Sequence, residues 1–295
     1  MKRNFTYKIT EKDTGIMVWQ FLQARGYSRH ILTHLKRTEN GITVNGRRVF
    51  TTHRLLEGEV LCIMLEDMDN PESVQPVKLP LRIVYEDEDI LVLNKPADMP
   101  VHPSLGNREN TLANAVAWYY KERGVTFTYR CINRLDRDTT GLLVLAKHML
   151  SAAILSSMMK QRQIRRTYWA LAEGQTPLED TISLPIGRKP DSIIERHIDI
   201  AHGEPAVTHF RTIRQFSGHS LVELKLETGR THQIRVHMAA IGHPLLGDFL
   251  YNPNHTSGLM KRQALHSVKL EFPHPITGEN LSFKAPLPTD MSLLV

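Results

Sequence analysis

The chain of 295 residues lacks several features that would define its class at once. It has only two cysteines, Cys62 and Cys131, which are far apart and follow no metal-binding spacing. Disulfides are therefore not expected, and both thiols are predicted to be reduced and structural. No run of about 18 apolar residues occurs, and the charged start MKRNFTYKITEKD has no apolar segment typical of a signal peptide. We therefore expect a cytoplasmic protein without a membrane span.

Motifs for bound cofactors and metals are also missing. The sequence contains no G-x-G-x-x-G, Walker A, H-E-x-x-H or G-x-S-x-G pattern. Three histidines, His232, His237 and His243, follow one another at spacings that match no metal motif. They are predicted to be hydrogen-bonding side chains, so no cofactor and no metal are expected.

The positive charge is concentrated at one end of the chain. Residues 1–65 hold eleven Lys/Arg and five Asp/Glu, which accounts for the whole net charge of +6, whereas residues 66–295 hold 26 of each sign. A polyanion is the simplest partner for such an end. The alternative is that six charges only keep a small module soluble, and charge alone does not separate the two interpretations.

The first 65 residues show the pattern of a small α/β module. Asp13 is predicted to cap a first helix that ends at Gly26, and Ser28 to cap a second. Asn45-Gly46 lies between alternating segments and predicts a hairpin, followed by a strand near residues 60–65.

Three segments of this module, GYSRHIL, GITVNGR and LLEGEVLCIML, resemble the small RNA-binding module named after a small-subunit ribosomal protein. In that family the second helix and the hairpin carry the basic face that contacts RNA. The resemblance therefore implies RNA contacts for Arg29, Lys36, Arg37, Arg47 and Arg48.

Beyond this module, residues 66–80 are acidic and contain three prolines, which is typical of a linker. An independently oriented N-terminal module is then expected. Residues 81–295 are predicted to form one large domain. Its strand and helix patterns do not alternate regularly, so we expect an α+β fold with a mixed, largely antiparallel sheet and flanking helices.

The segment most suited to chemistry is INRLDRDTTGLLVLAK, residues 132–147. Asp136 lies between Arg134 and Arg137, ahead of Gly141 and an apolar strand. Positive neighbours lower the pKa of a carboxylate, typically by about 1–3 units, which keeps a carboxylate nucleophile ionised. The alternative interpretation is an ordinary surface turn with a salt bridge.

Two further segments combine basic and aromatic side chains. LETGRTHQIRVHM, residues 226–238, places Arg230 and Arg235 near a helix start, where they could grip a phosphate or a carboxylate. KQRQIRRTYWA, residues 160–170, is a basic stretch that ends in two aromatic residues. Alternation along a strand sends these to opposite faces, one towards a site and one, Trp169, towards the core.

Taken together, residues 81–290 closely resemble the RluA family of pseudouridine synthases, in the branch with an N-terminal RNA-binding module. The resemblance rests on four signatures in order: VLNKP at 92–96 with a following VHP, NRLDRDTTG at 133–141, RRTYWAL at 165–171, and TGRTHQIRVH at 228–237 followed by GHPLLGD. It implies the pseudouridine synthase fold and the isomerisation of chosen uridines in a folded RNA.

The resemblance also implies roles for individual residues. The aspartate of R-L-D-R, Asp136, would be the nucleophile, and Tyr168 of R-x-Y would stack on the target base. Arg235 of H-Q-I-R would pair with the catalytic aspartate, and Arg137 would contact or replace the flipped nucleotide. Asn133 stands where the family usually has histidine. The residues of the large domain expected to contact RNA are Arg134, Arg137, Arg165 and Arg230.

The expected partner is RNA, with large-subunit ribosomal RNA preferred and transfer RNA second, and a monomer is the default expectation. Two other functions fit parts of the pattern. One is a non-catalytic RNA-binding or ribosome-assembly factor on the same scaffold. The other is a glycosidase or nucleosidase, for which Asp138 is the nearest candidate for the second carboxylate that such enzymes need.

Overall fold

The structure is a computed structural model that describes residues 1–66, 74–104, 106–253 and 258–295. Its N-terminal part is a small module in which four antiparallel strands pack against two helices. The elements of this module are β1 (Lys2–Lys8), a short 3-10 helix (Glu11–Asp13), α1 (Val18–Gln23), α2 (Arg29–Arg37), β2 (Ile42–Val44), β3 (Arg47–Arg48) and β4 (Val60–Glu66).

Local signals fix most of these elements. The Ser28 side chain accepts a hydrogen bond from the Ile31 amide at the start of α2, as the sequence predicts. Asn45 and Gly46 both have positive φ, the conformation that a tight two-residue hairpin needs. The predicted cap at Asp13 is wrong: its carboxylate accepts bonds from Thr10, and α1 begins only at Val18.

The large domain is built on a nine-stranded sheet. Its strands are β5 (Ile83–Glu86), β6 (Ile90–Lys95), β7 (Thr140–Ala146), β8 (Arg165–Glu173), β9 (Glu179–Ser183), β12 (Val207–Phe216), β13 (His219–Leu226), β14 (Leu265–Pro273) and β15 (Asn280–Lys284). The remaining elements are α3 (Leu112–Lys121), α4 (Met149–Lys160), the two-stranded hairpin of β10 (Ile186–Arg188) and β11 (Arg196–Ile198), α5 (Gln233–Ala240) and α6 (Thr289–Ser292).

The sheet is mixed but mainly antiparallel, in the order β5-β6-β7-β14-β8-β13-β12-β9 with β15 also paired to β14. Among the described residues the parallel pair is β7 with β14, where Gly141 faces Ser267. A side chain at Gly141 would lie 2.3 Å from the Ser267 carbonyl oxygen, and its φ is +109°. Glycine is therefore required both for the backbone angle and for the approach of β14. The expected α+β class is confirmed.

Both faces of the sheet are covered, which explains the apolar run of β7. Every residue of β7 is buried, because its side chains alternate between two apolar clusters. One cluster includes α3 and α5, and the other includes Leu155 of α4. No helix among the described residues is long and apolar enough to cross a membrane.

The N-terminal module packs against the large domain. Leu150 of α4 belongs to the buried core of the module, and Arg3 of β1 pairs with Asp89 at 2.9 Å. The backbone of Gly26 lies so close to Ile154 that a side chain there would approach it to 2.7 Å. The module is therefore seated on α4, unlike the independent orientation expected from the sequence.

The predicted linker at 66–80 is only partly described. Residues 67–73 lie outside the described residues, so the linker prediction is not tested there. Beyond them the chain runs along the start of α3, where the Val77 amide donates to the Asn114 carbonyl and the Asn114 side chain donates to the Gln75 carbonyl.

Candidate active site

The sheet and α5 together form a cavity of about 560 Å³. Three residues to which the family resemblance gives catalytic roles, Asp136, Tyr168 and Arg235, all line it. They come from the turn before β7, from β8 and from α5, so three segments far apart in the chain meet here.

The turn that carries Asp136 is tied down on both sides. The Thr139 amide donates to the Asp136 carbonyl at 3.2 Å, which closes a β-turn. Ahead of the turn, the Asn133 side chain accepts a hydrogen bond from the Val144 amide of β7 at 3.0 Å. The Asp136 side chain remains 25% exposed, so its carboxylate is open to a ligand in the cavity.

A buried lysine anchors the same turn from below. Lys95 ends β6 and donates through Nζ to the carbonyls of Pro96, Met99 and Arg137 at 2.7–2.9 Å. Burial lowers the pKa of Lys95 to about 7, against the attraction of the Asp138 and Asp136 carboxylates. Through the Arg137 carbonyl, this side chain fixes the residue that follows Asp136.

Arg235 joins two carboxylates. Its Nη1 donates to Asp136 Oδ2 at 3.0 Å, while Nε and Nη2 make a bidentate pair with Asp248 at 2.7 and 2.8 Å. Arg235 and Asp248 are both buried. Burial disfavours the charge of Arg235, but the hydrogen bonds and charge of Asp248 outweigh it and raise the pKa of the guanidinium. Asp248 thus holds Arg235 in place, and Arg235 orients Asp136.

His232 stands on the other side of the Asp136 carboxylate. It precedes α5 in the left-handed region, at φ +58°, and its Nε2 lies 3.9 Å from Asp136 Oδ1. Its Nδ1 is hydrogen-bonded to the Tyr251 hydroxyl at 2.8 Å. Burial lowers the pKa of His232, while the Asp136 carboxylate acts in the opposite direction.

The two aromatic residues of β8 point to opposite faces of the sheet. Tyr168 is buried in the cavity wall, whereas Trp169 lines a separate groove. Burial raises the pKa of the Tyr168 hydroxyl, against the charge of nearby Arg166. The same alternation brings Arg166 to the cavity wall, while Arg165 is not among the residues that line it.

The structure brings only some of the other predicted RNA-binding residues to the cavity. Arg134 lines it and is exposed. Arg230 also lines it but is paired with Glu204. Arg137 is half-exposed outside the cavity wall, where its guanidinium pairs with Asp138 at 3.0 Å.

The five basic residues of the module that were expected to contact RNA are exposed, and they lie on α2 and β3. Arg48 of the hairpin donates to the carbonyl of Lys36 in α2 at 3.1 Å, which joins the two elements. The residues on this surface are Arg29, Lys36, Arg37, Arg47 and Arg48.

One group in the described residues has the composition of a metal site: Asp87, Asp89 and His274. Hydrogen bonds already use its ligand atoms. His274 Nδ1 accepts from backbone amides, so Nε2 carries the proton and donates to Asp87 at 3.0 Å. Asp89 accepts from Arg3 and His148 at 2.9 Å. The group thus forms a hydrogen-bonded network between the module and the large domain. His237 and His243 are hydrogen-bonded to backbone carbonyls, as predicted.

Sequence reasoning gave no role in the site to four of its residues: Lys95, Arg166, His232 and Asp248. Lys95 and Asp248 lie inside the quoted signatures VLNKP and GHPLLGD, but spacing gave no reason to place them beside Asp136. Strand alternation counted from Tyr168 selects Arg166 instead of Arg165.

The chain is similar to known RNA pseudouridine synthases. Residues 89–240 match a family described as RNA pseudouridylate synthase. A Bacillus subtilis protein named uncharacterized RNA pseudouridine synthase YjbO is 43% identical over 271 residues, which cover 92% of this chain and 95% of that protein. Ribosomal large subunit pseudouridine synthase D of Pasteurella multocida is 42% identical, over 87% of this chain and 81% of that protein.

Solved structures show the same fold. Human RNA Pseudouridylate Synthase Domain Containing 1 superposes with a TM-score of 0.59 at 29% identity, covering 74% of this chain and 86% of that chain. Human RNA Pseudouridylate Synthase Domain Containing 4 superposes with a TM-score of 0.60 at 24% identity, covering 72% and 90%.

Proposed function

Because the chain belongs to the RNA pseudouridylate synthase family and is an isomerase that acts on RNA, we propose that Asp136 is its nucleophile. The observation that carries this proposal is the chain of contacts from Asp248 through Arg235 to Asp136. It presents a partly exposed carboxylate, oriented by a buried cation, to a cavity large enough for one nucleotide.

The reaction breaks the bond between uracil N1 and ribose C1′, turns the base and joins C5 to C1′. The hydrogen of C5 is lost and N1 regains one, so the product is an isomer. The target base must first leave its stack, at a cost of a few kcal/mol. Tyr168 then receives the base in the cavity. The Asp136 carboxylate can attack C1′ or remove a proton from C2′ to give a glycal, and attack on the uracil ring is a third route.

We infer that the substrate is large-subunit ribosomal RNA. This rests on relatives such as the large-subunit synthase D of Pasteurella multocida, which this chain matches over 87% of its length. The exposed basic residues of the module supply a surface for phosphate contacts next to the large domain. A transfer RNA substrate is the second candidate, and a monomer is the form expected to act.

A glycosidase would need a second carboxylate with a raised pKa near Asp136. Asp138 is paired with Arg137 and does not line the cavity. Glu227 does line it, but hydrogen bonding to His209 and the charge of Arg162 lower its pKa. Neither side chain is suited to protonate a leaving group, which favours isomerisation over hydrolysis.

The proposal is tested by chemical mapping of pseudouridine in total RNA from cells with and without this gene. One or a few sites in large-subunit RNA are expected to disappear on deletion and to return with the wild-type protein. Asp136→Asn is expected to fold and bind RNA but to restore no site, because the neutral amide cannot act as a nucleophile.

Asp138→Asn is the matched control. It removes a charge two residues away, outside the cavity wall, and its amide oxygen can still accept from the Asp98 amide. This variant is expected to restore modification. Normal restoration by Asp136→Asn would exclude the nucleophile role, and sites that disappear from transfer RNA instead would overturn the substrate proposal.

A further inference from the structure

Arg166 is a half-buried cation in the cavity wall. It lies two residues before Tyr168 on the same face of β8, and both side chains line the cavity. Its Nε is buried without a hydrogen-bond partner. Among the residues that the structure describes, no carboxylate lies within ion-pair distance of it. A buried donor without an acceptor is costly, so its retention needs an explanation.

Three other guanidinium groups of the cavity wall have carboxylate partners. Arg235 is held by Asp136 and Asp248, Arg162 pairs with Glu227, and Arg230 pairs with Glu204. Because every carboxylate that lines the cavity is already paired, none can neutralise Arg166. Among the described residues Arg166 Nε therefore has no acceptor, and a bound ligand can supply one.

The surroundings of Arg166 leave room for such a group. Its guanidinium faces Gly229, where a side chain would lie 3.3 Å from Nη1. Gly229 does not have a positive φ, so space beside Arg166 explains this glycine better than backbone freedom. A second donor in the cavity wall, Asn133 Nδ2, is also buried without an acceptor.

We infer that Arg166 binds a phosphate group of the target nucleotide. Phosphate offers acceptors only, and its geometry suits the two parallel N–H bonds of a guanidinium. RNA supplies a phosphate on each side of the flipped nucleoside, within the same cavity as Tyr168 and Asp136. Arg166 therefore fixes the backbone of the nucleotide while Tyr168 receives its base. This inference rests on the proposed location of the active site.

The test compares binding of uridine 3′,5′-bisphosphate with binding of uridine to the full chain, by calorimetry or NMR titration. Wild type is expected to prefer the bisphosphate. Arg166→Met is expected to weaken bisphosphate binding by about 10- to 100-fold and to leave uridine binding unchanged, as loss of a charged hydrogen bond requires. Arg166→Lys keeps the positive charge but lacks the two parallel donors of a guanidinium. Its affinity for the bisphosphate is expected to lie between those of wild type and Arg166→Met.

Arg214→Met is the matched control, because Arg214 is exposed near the far end of β12 and stacks on Phe216. It is expected to bind both ligands like wild type. Equal affinity of wild type for the two ligands, no detectable binding, or an unchanged preference in Arg166→Met would overturn the inference. Asp136→Asn separates the two proposals: it is expected to keep the bisphosphate preference, whatever its turnover shows about the nucleophile.

Discussion

Removal of the Asp248 carboxylate is expected to destabilise the protein because the buried Arg235 guanidinium loses the partner of two of its donors and keeps only the partly exposed Asp136. Asp248 is fully buried and Arg235 is 3% exposed. Breaking a buried ion pair from one side costs about 3–5 kcal/mol, roughly a fifth or more of the about 5–15 kcal/mol that stabilises a typical domain. In Asp248→Leu the midpoint of urea unfolding should fall accordingly, and turnover should be lost with the orientation of Asp136.

The double variant Arg235→Met, Asp248→Leu separates stability from catalysis. It removes both charges, so it should recover at least half of the lost stability. Recovery is incomplete because the amides of Leu250 and Tyr251 also donate to Asp248. Turnover should stay absent, since Asp136 has lost its guanidinium partner.

A second Arg–Asp ion pair, whose carboxylate is more exposed to solvent, provides the control. Arg262 and Asp290 are joined by two bonds of 2.7 and 2.9 Å, but the Asp290 side chain is 45% exposed. Asp290→Leu should therefore cost much less stability and leave turnover intact. A double variant as unstable as Asp248→Leu, or one that still forms pseudouridine, would refute the reasoning about Arg235.

Three further predictions concern RNA binding by the module, the pH dependence of stability, and the space beside Arg166. Replacing Lys36 and Arg37 by glutamine should leave the unfolding midpoint unchanged, because both side chains are exposed. The slope of log K for RNA binding against log salt concentration should fall by about one for each phosphate contact that is lost. An unchanged slope would exclude this surface from RNA binding. Burial lowers the pKa of His266 from 6.5 to about 4. On acidification the unfolded chain therefore takes up a proton at His266 before the folded chain does. The stability of the folded protein that depends on neutral His266 is complete above about pH 6.5 and is lost towards pH 4. At pH 5 the loss is about 2 kcal/mol, and His266→Gln should remove it from the pH profile of urea unfolding; an identical profile would contradict this. Gly229→Ala should fold but bind uridine bisphosphate more weakly by crowding Arg166, whereas wild-type affinity would show that the space is not used.

The parts of the fold that were predicted correctly depend on neighbours in the sequence. Ser28 accepts from the Ile31 amide at the start of α2, as its position after Gly26 predicts. The Asn45-Gly46 hairpin and the apolar strand at 142–146 likewise follow from local turn chemistry and composition. β1 was missed because its partner, β4, lies about 60 residues away, and nothing in KRNFTYK specifies that pairing.

The catalytic assignments came from the family resemblance, because the contacts of the site are long-range. Asp136 and Arg235 are separated by 99 positions, and Lys95 is 42 positions from the Arg137 carbonyl that it binds. A sequence shows that a cation exists but not whether a carboxylate reaches it in the fold. Arg137 and Arg166 illustrate the difference. The family resemblance implies that Arg137 contacts the nucleotide, and in the fold Arg137 pairs with Asp138 outside the cavity wall. The fold leaves Arg166 in the wall of the same cavity without a carboxylate partner among the described residues, and such a guanidinium is suited to bind a phosphate.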